Sequence, residues 1–257
     1  MSTNHKHDHE CTVDWDMAEL CAEVCKIVYS DETSVHNYLK SNKIAYTDLR
    51  FFSYDNAQAY GIDMQDYMIV AFRGTQGAQF KDILADIKAW PSESETQGNV
   101  HSGFKTDLDK VYPQIIKWLG KGYNKRIIVT GHSLGAAMAT ICASRFHAHG
   151  ADLALYTFGS PRVGNREWAE QFNDIEAYRF VNNNDIVCQV PSALYYTHVG
   201  ILHYISYDFR ILTNLTWFQR FVDKLKGTGK AWSKFQPFDG IYDHFGKQYV
   251  KKLKGRK

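Results

Sequence analysis

Ser133 stands at the centre of Gly131-His132-Ser133-Leu134-Gly135, a G-x-S-x-G spacing. Before it, Ile127 to Thr130 are apolar or β-branched, the mark of a short buried strand. After it, Ala136 to Ala143 read as a small-residue helix. Strand, glycine-flanked serine and helix, in that order, set the serine at the apex of a tight turn. Side chains at either glycine would meet the neighbouring strand or helix, and the strained turn pushes the hydroxyl outward. The amides opening the next helix aim at the same spot, where they would stabilise developing negative charge. Residues of these types at this spacing can carry out nucleophilic acyl transfer.

A serine hydroxyl is a weak nucleophile alone. It needs a base within hydrogen-bond reach and an acid that orients the base. On a sheet with its nucleophile on such an elbow, the chain order is serine, then carboxylate, then histidine. Asp185 is the best-placed carboxylate. It follows a strand and ends the turn-forming run Asn182-Asn-Asn-Asp185, whereas Asp174 precedes its strand and so lies at the wrong end. His198, His203 and His244 are the candidate bases. His203 falls within a strand pattern and His198 just before it, which leaves His244, in a late loop-to-helix segment, as the favoured base. His101 and His132 precede the serine and read as structural or supporting groups. Two oxyanion donors are needed. The amide of Leu134, next after the nucleophile, supplies one, and Thr75, just past an earlier strand, offers an amide and a hydroxyl for the other.

The elements that must hold these residues alternate. Asp14 caps a helix running to Tyr29, and a second helix covers Ser34 to Lys40. Strands are expected at Leu49–Tyr54 and Gln58–Ile62, about an Asp55-Asn56 turn, and at Tyr67–Phe72. A polar loop is expected over Pro91–Asn99, then a long helix over Phe104–Leu119 that Pro113 kinks or splits. Further strands are expected at Leu153–Phe158, Glu176–Val181 and Val199–Ser206, with a helix at Val163–Phe172. Such alternation predicts a mostly parallel sheet with helices on both faces. In such sheets ligands bind at the carboxyl ends of the strands, where Thr75, Ser133 and Asp185 all fall. One domain over residues 13–250 is expected, between a polar tail at 1–12 and a basic tail at 251–257.

An apolar fraction of 44% suffices for a sizeable core, and a net charge of +2 singles out no class of partner. The five cysteines form no dense framework, so free thiols are expected, with Cys21 and Cys25 facing the core as a helical i, i+4 pair. His5, His7 and His9 lie in a polar tail with no preorganised metal site. No metal or cofactor is expected: C-x-x-C, H-E-x-x-H and phosphate-loop spacings are absent. The basic residues lack the interleaved aromatics of nucleic-acid modules. With no apolar leader before residue 12, a cytoplasmic location is expected, or secretion if the N-terminus is processed.

Five separated motifs appear in order. They are Ala71-Phe-Arg-Gly-Thr75, Val100-His-Ser-Gly-Phe104, Thr130-Gly-His-Ser-Leu-Gly-Ala-Ala137, Thr157-Phe-Gly-Ser-Pro-Arg-Val-Gly-Asn165 and Val181-Asn-Asn-Asn-Asp-Ile-Val187. Together with Asp243-His244 and Tyr249, they make the chain resemble the class 3 lipases, a branch of the α/β-hydrolases. That resemblance implies a Ser133–Asp185–His244 triad, Thr75 as second oxyanion donor, and hydrolysis of ester bonds in acylglycerols or phospholipids. It also implies a lid over about Gln76–Trp90, where Phe80, Ile83, Leu84 and Ile87 form a helical apolar stripe. Without the resemblance the stripe reads as core packing. A second stripe with aromatics, Leu215 to Leu225, lies beside Arg220, Lys224, Lys226 and Lys230. It fits a segment lying on a membrane or lipid-droplet surface, and equally a solvated face over a packed stripe.

Overall fold

The computed structural model describes residues 12–74, 90–120, 124–213, 244 and 246–256. Thr75, the predicted lid residues Phe80, Ile83, Leu84 and Ile87, the N-terminal histidines and most of the basic 208–237 segment lie outside these residues.

Apolar and β-branched runs set the strands, and their order builds one large sheet. The strands are β1 (Asp48–Tyr54), β2 (Ala57–Asp63), β3 (Tyr67–Phe72), β4 (Pro91–Glu93), β5 (Asn99–His101), β6 (Arg126–His132), β7 (Leu153–Phe158), β8 (Glu176–Asn182), β9 (Ile201–Ile205) and β10 (Ile211–Leu212). Eight of them join in the order β1-β2-β3-β6-β7-β8-β9-β10. From β3 to β9 neighbours run parallel, while the flanking β1, β2 and β10 pair antiparallel. The predicted parallel sheet is thus observed, with Asp55 at a φ of +56° closing the first hairpin.

Helices cover both faces. Asp14 caps α1 (Trp15–Ile27) by accepting from the Met17 amide, and Asp31 caps α2 (Glu32–Ser41) the same way through Ser34. The other helices are α3 (Ser102–Leu119), α4 (Leu134–Ala148), the single turn α5 (Arg166–Ala169) and α6 (Gly246–Lys254). One core joins α3 and α4 to Phe72, Val129 and Leu155. The other joins α1, α2 and α6 to Ile69, Ile128, Phe158 and Phe180. Cys21 and Cys25 are buried in the second core, where the Cys25 thiol sits 3.2 Å from the Thr130 hydroxyl. No described helix is long and apolar enough to cross a membrane.

Four expectations need correction. The Pro91–Asn99 stretch is not simply a loop: β4 and β5 form a hairpin whose return uses Gly98 at a φ of +58°. Pro113 neither splits nor ends α3; it lies on the exposed face, where water can serve the carbonyl that loses its amide partner. The Val163–Phe172 helix begins late, because Gly164 is held extended by bridges to Val100 and Thr197 and Asn165 then caps the turn. The basic 251–257 tail begins as helix: α6 runs through residue 254 with Lys252 and Leu253 buried, and Lys254 and Arg256 pair with Glu23 and Glu19 on α1.

His203 has a sequence reading of structural and lies in β9, stacked on Phe180 at 5.0 Å and edge-on to Trp15 at 5.5 Å. Neither ring nitrogen has a hydrogen-bond partner among the described residues. Burial, reinforced by the positive charge of Arg179, pushes it down to about 4. A base with a depressed folded pKa stabilises the native state above its unfolded value near 6.5 and loses that contribution as pH falls towards 4. The slope is up to ~1.4 kcal/mol per pH unit. His203→Phe, which keeps the ring stack and removes the proton sites, should therefore lose less Tm than wild type between pH 7 and 4.5. Thermal melts across that range check it.

Candidate active site

The loop from β6 into α4 positions Ser133. Gly131 and Gly135 are glycine because no other residue fits. A Cβ on Gly131 would lie 2.3 Å from Gly135 O, and one on Gly135 would lie 2.3 Å from Phe72 O. Held between them, Ser133 takes φ +61° and ψ −130°, a conformation uncommon for any residue but glycine. Its amide donates to Phe158 O at 3.0 Å, which ties the elbow to β7. The hydroxyl does not cap α4 and has no hydrogen-bond partner among the described residues. The Leu134 amide opens α4, and first-turn amides have no acceptor within their own helix. Gly74, the last described residue before Thr75, packs so close that a Cβ there would sit 3.2 Å from Ser133 Cβ.

Asp185 and His244 come together across 59 positions of sequence. The His244 Nδ1 lies 2.9 Å from both carboxylate oxygens of Asp185. The carboxylate is fully buried, and it also accepts from the Val187 amide at 2.9 Å and from the Tyr249 hydroxyl at 2.5 Å. Burial alone would raise its pKa. The neighbouring His244, the hydrogen bonds from His244 and Tyr249, and the more distant His132 outweigh burial and hold the carboxyl below its usual range. Gly159, at a φ of +59°, gives the pair room: a Cβ there would lie 2.7 Å from Asp185 Oδ2 and 2.9 Å from His244 Nδ1.

His132 links this pair to the elbow. Its ring stacks on that of His244 with centroids 4.6 Å apart, and its Nε2–H donates to His244 O at 2.6 Å. That tautomer leaves Nδ1 to accept from the Tyr29 hydroxyl at 3.0 Å. Burial, then the nearby charge of His244, push His132 down to about 3, so it stays neutral. A neutral ring is required, because an imidazolium here would repel a protonated His244.

The other candidate histidines lie elsewhere. His198 Nε2 sits 2.9 Å from Cys188 O. His101 caps α3 by accepting from the Gly103 amide and stacks on Phe104. Tyr29 and Gly159 have no role in the sequence expectations, whereas Tyr249, named there beside Asp243 and His244, takes one here as a hydrogen-bond donor to Asp185. Tyr29 carries no sequence signal for its contact with His132. No cluster of three or more metal-ligating side chains occurs among the described residues.

A parallel sheet with a serine on a glycine-walled elbow and an Asp–His pair beside it defines the α/β-hydrolase class. Residues 69–195 match the family model described as Lipase (class 3). Among relatives, Toxin TseL of Vibrio cholerae is 31% identical over 185 residues, which is 68% of this chain and 28% of that protein. A lipase of Rhizomucor miehei is 30% identical over 167 residues, 59% of this chain and 45% of that one. This chain therefore spans less than half the length of either relative. Among solved structures, the lipase of Rhizopus microsporus var. chinensis superposes with a TM-score of 0.67 at 24% identity, covering 90% of this chain and 85% of that one. The chain belongs to the class 3 lipase family.

Proposed function

We propose that this protein is a serine hydrolase that cleaves carboxylic ester bonds of lipids, acylglycerols first among them, through an acyl-enzyme. The observation that carries the reading is the buried Asp185–His244 pair stacked, through His132, against the Ser133 elbow. Ser133 Oγ attacks the ester carbonyl carbon as His244 Nε2 takes its proton. Asp185 holds Nδ1–H and stabilises the imidazolium. The carbonyl oxygen, now negative, accepts from the Leu134 amide and from Thr75. As the tetrahedral carbon collapses, the C–O bond to the alcohol breaks and His244 returns the proton to it. Water, deprotonated by the same histidine, then attacks the acyl carbon, and fatty acid and free Ser133 emerge.

Lipid substrate is supported by the family and by the lipases among its relatives. Fatty-acid release from emulsified triolein, phosphatidylcholine and soluble p-nitrophenyl butyrate tests it. The expected result is hydrolysis of triolein together with the soluble ester. Release from phosphatidylcholine but not triolein would make the protein a phospholipase on the same residues. Cleavage of the soluble ester alone would remove lipid from the reading.

A further inference from the structure

Few large apolar side chains stand exposed among the described residues, and two of them are adjacent: Leu194 is 86% and Tyr195 70% exposed. They crown a loop held at both feet. The Arg162 amide donates to Val190 O and the Thr197 amide to Gly164 O, both at 2.8 Å, so the loop stands on the segment leaving the carboxyl end of β7. Within it, the amides of Tyr195 and Tyr196 donate to Ser192 O, and that of Leu194 donates to Ser192 Oγ. Arg162 Nη1 adds bonds to Gln189 O and Pro191 O. Tyr196 turns inward and is buried, while its two predecessors face water. A frame this well tied loses little freedom when its tip docks.

Charge says what the tip would dock on. From Ile186 to Tyr207 the chain has no Asp, Glu, Lys or Arg. With no charged side chain of its own, and with Arg162 turned onto carbonyls at its base, the tip can enter a headgroup layer without stripping water from a charge. It offers nothing to an oppositely charged partner. Leucine suits the acyl boundary, and tyrosine, with its apolar ring and polar tip, suits the layer above it. The connection leaves β8 beside Asp185 and both its feet bond the segment after the carboxyl end of β7, so the knuckle stands towards the rim that carries the proposed chemistry.

We propose that Leu194 and Tyr195 form a fixed anchor that docks this protein on an uncharged lipid–water surface. The proposal rests on lipid being the substrate, and it places the contact apart from the basic 208–237 segment. Flotation with phosphatidylcholine vesicles tests it, using Ser133→Ala protein so that no turnover intervenes. The parent should float, and high salt should leave the bound fraction unchanged. Adding Leu194→Ser and Tyr195→Ser should lower partitioning at least tenfold at unchanged Tm, and Leu194→Trp should raise it. Equal partitioning of parent and double variant would overturn the anchor. So would binding confined to anionic vesicles and lost in salt, or a dimer in solution that the double variant breaks. None of these results bears on hydrolysis, whose own failure would be turnover that survives Ser133→Ala.

Discussion

Ser133→Ala should lower kcat on p-nitrophenyl butyrate by roughly 10⁴- to 10⁶-fold, the range expected when a nucleophile acting in concert with its base is removed. What survives would be water attack helped by oxyanion donors alone. Stability should move the other way or not at all. The hydroxyl makes no hydrogen bond to any described residue, so its deletion orphans nothing. Alanine inherits the same φ of +61° and the same strain. A variant with unchanged Tm and collapsed turnover would separate chemistry from folding, as expected where a site is built for reaction and not for stability. Initial rates and melts on one preparation check both halves.

Asp185→Asn is expected to cost about 10⁴-fold in kcat. The volume barely changes, but hydrogen bonding does. Three donors converge on the carboxylate: His244 Nδ1, the Tyr249 hydroxyl and the Val187 amide. A carboxylate accepts from all three, whereas an asparagine must turn an NH₂ towards one of them. If it faces His244, the ring is driven to the other tautomer, with Nε2 protonated and unable to take the serine proton. The loss also has a pH signature. In wild type the surroundings keep Asp185 ionised below the usual carboxylate range, so the imidazolium keeps its counter-charge into acid. In the variant the counter-charge is gone at every pH. The rate should therefore be low throughout, not merely shifted along the pH axis. Tyr249→Phe removes one donor without adding a clash, and should cost only about tenfold. Rate profiles from pH 5 to 9 on the three proteins distinguish these outcomes.

Much of this arrangement can be read from residue order. Alternation of apolar runs with amphipathic ones yields the parallel sheet, and Gly131 and Gly135 announce the elbow by their spacing. Asp185 is legible because turn-forming asparagines end a strand just before it. His244 stands out by elimination among the histidines, and its Nδ1 lies 2.9 Å from Asp185 Oδ1. What escaped the sequence has physical reasons. The hairpin at β4 and β5 is mostly polar, with Val100 its apolar core residue, and backbone pairing over three residues a strand leaves too short a pattern to read. The shortened α5 reflects a tertiary pull, with Gly164 recruited into bridges from two sides. The tether from Tyr29 through His132 to His244 O joins residues more than a hundred positions apart, and no periodicity encodes such a contact. Burial of Lys252, whose ammonium donates to Asn182 Oδ1 at 2.6 Å, likewise depends on where α6 docks.

Reaction with a fluorophosphonate, followed by peptide mapping, asks directly whether Ser133 is an activated nucleophile served by His244. The arrangement described above predicts one adduct, on Ser133, formed rapidly in wild type and slowed at least a hundredfold in His244→Ala. An unlabelled wild type, an adduct on another residue, or His244→Ala reacting at the wild-type rate would contradict it.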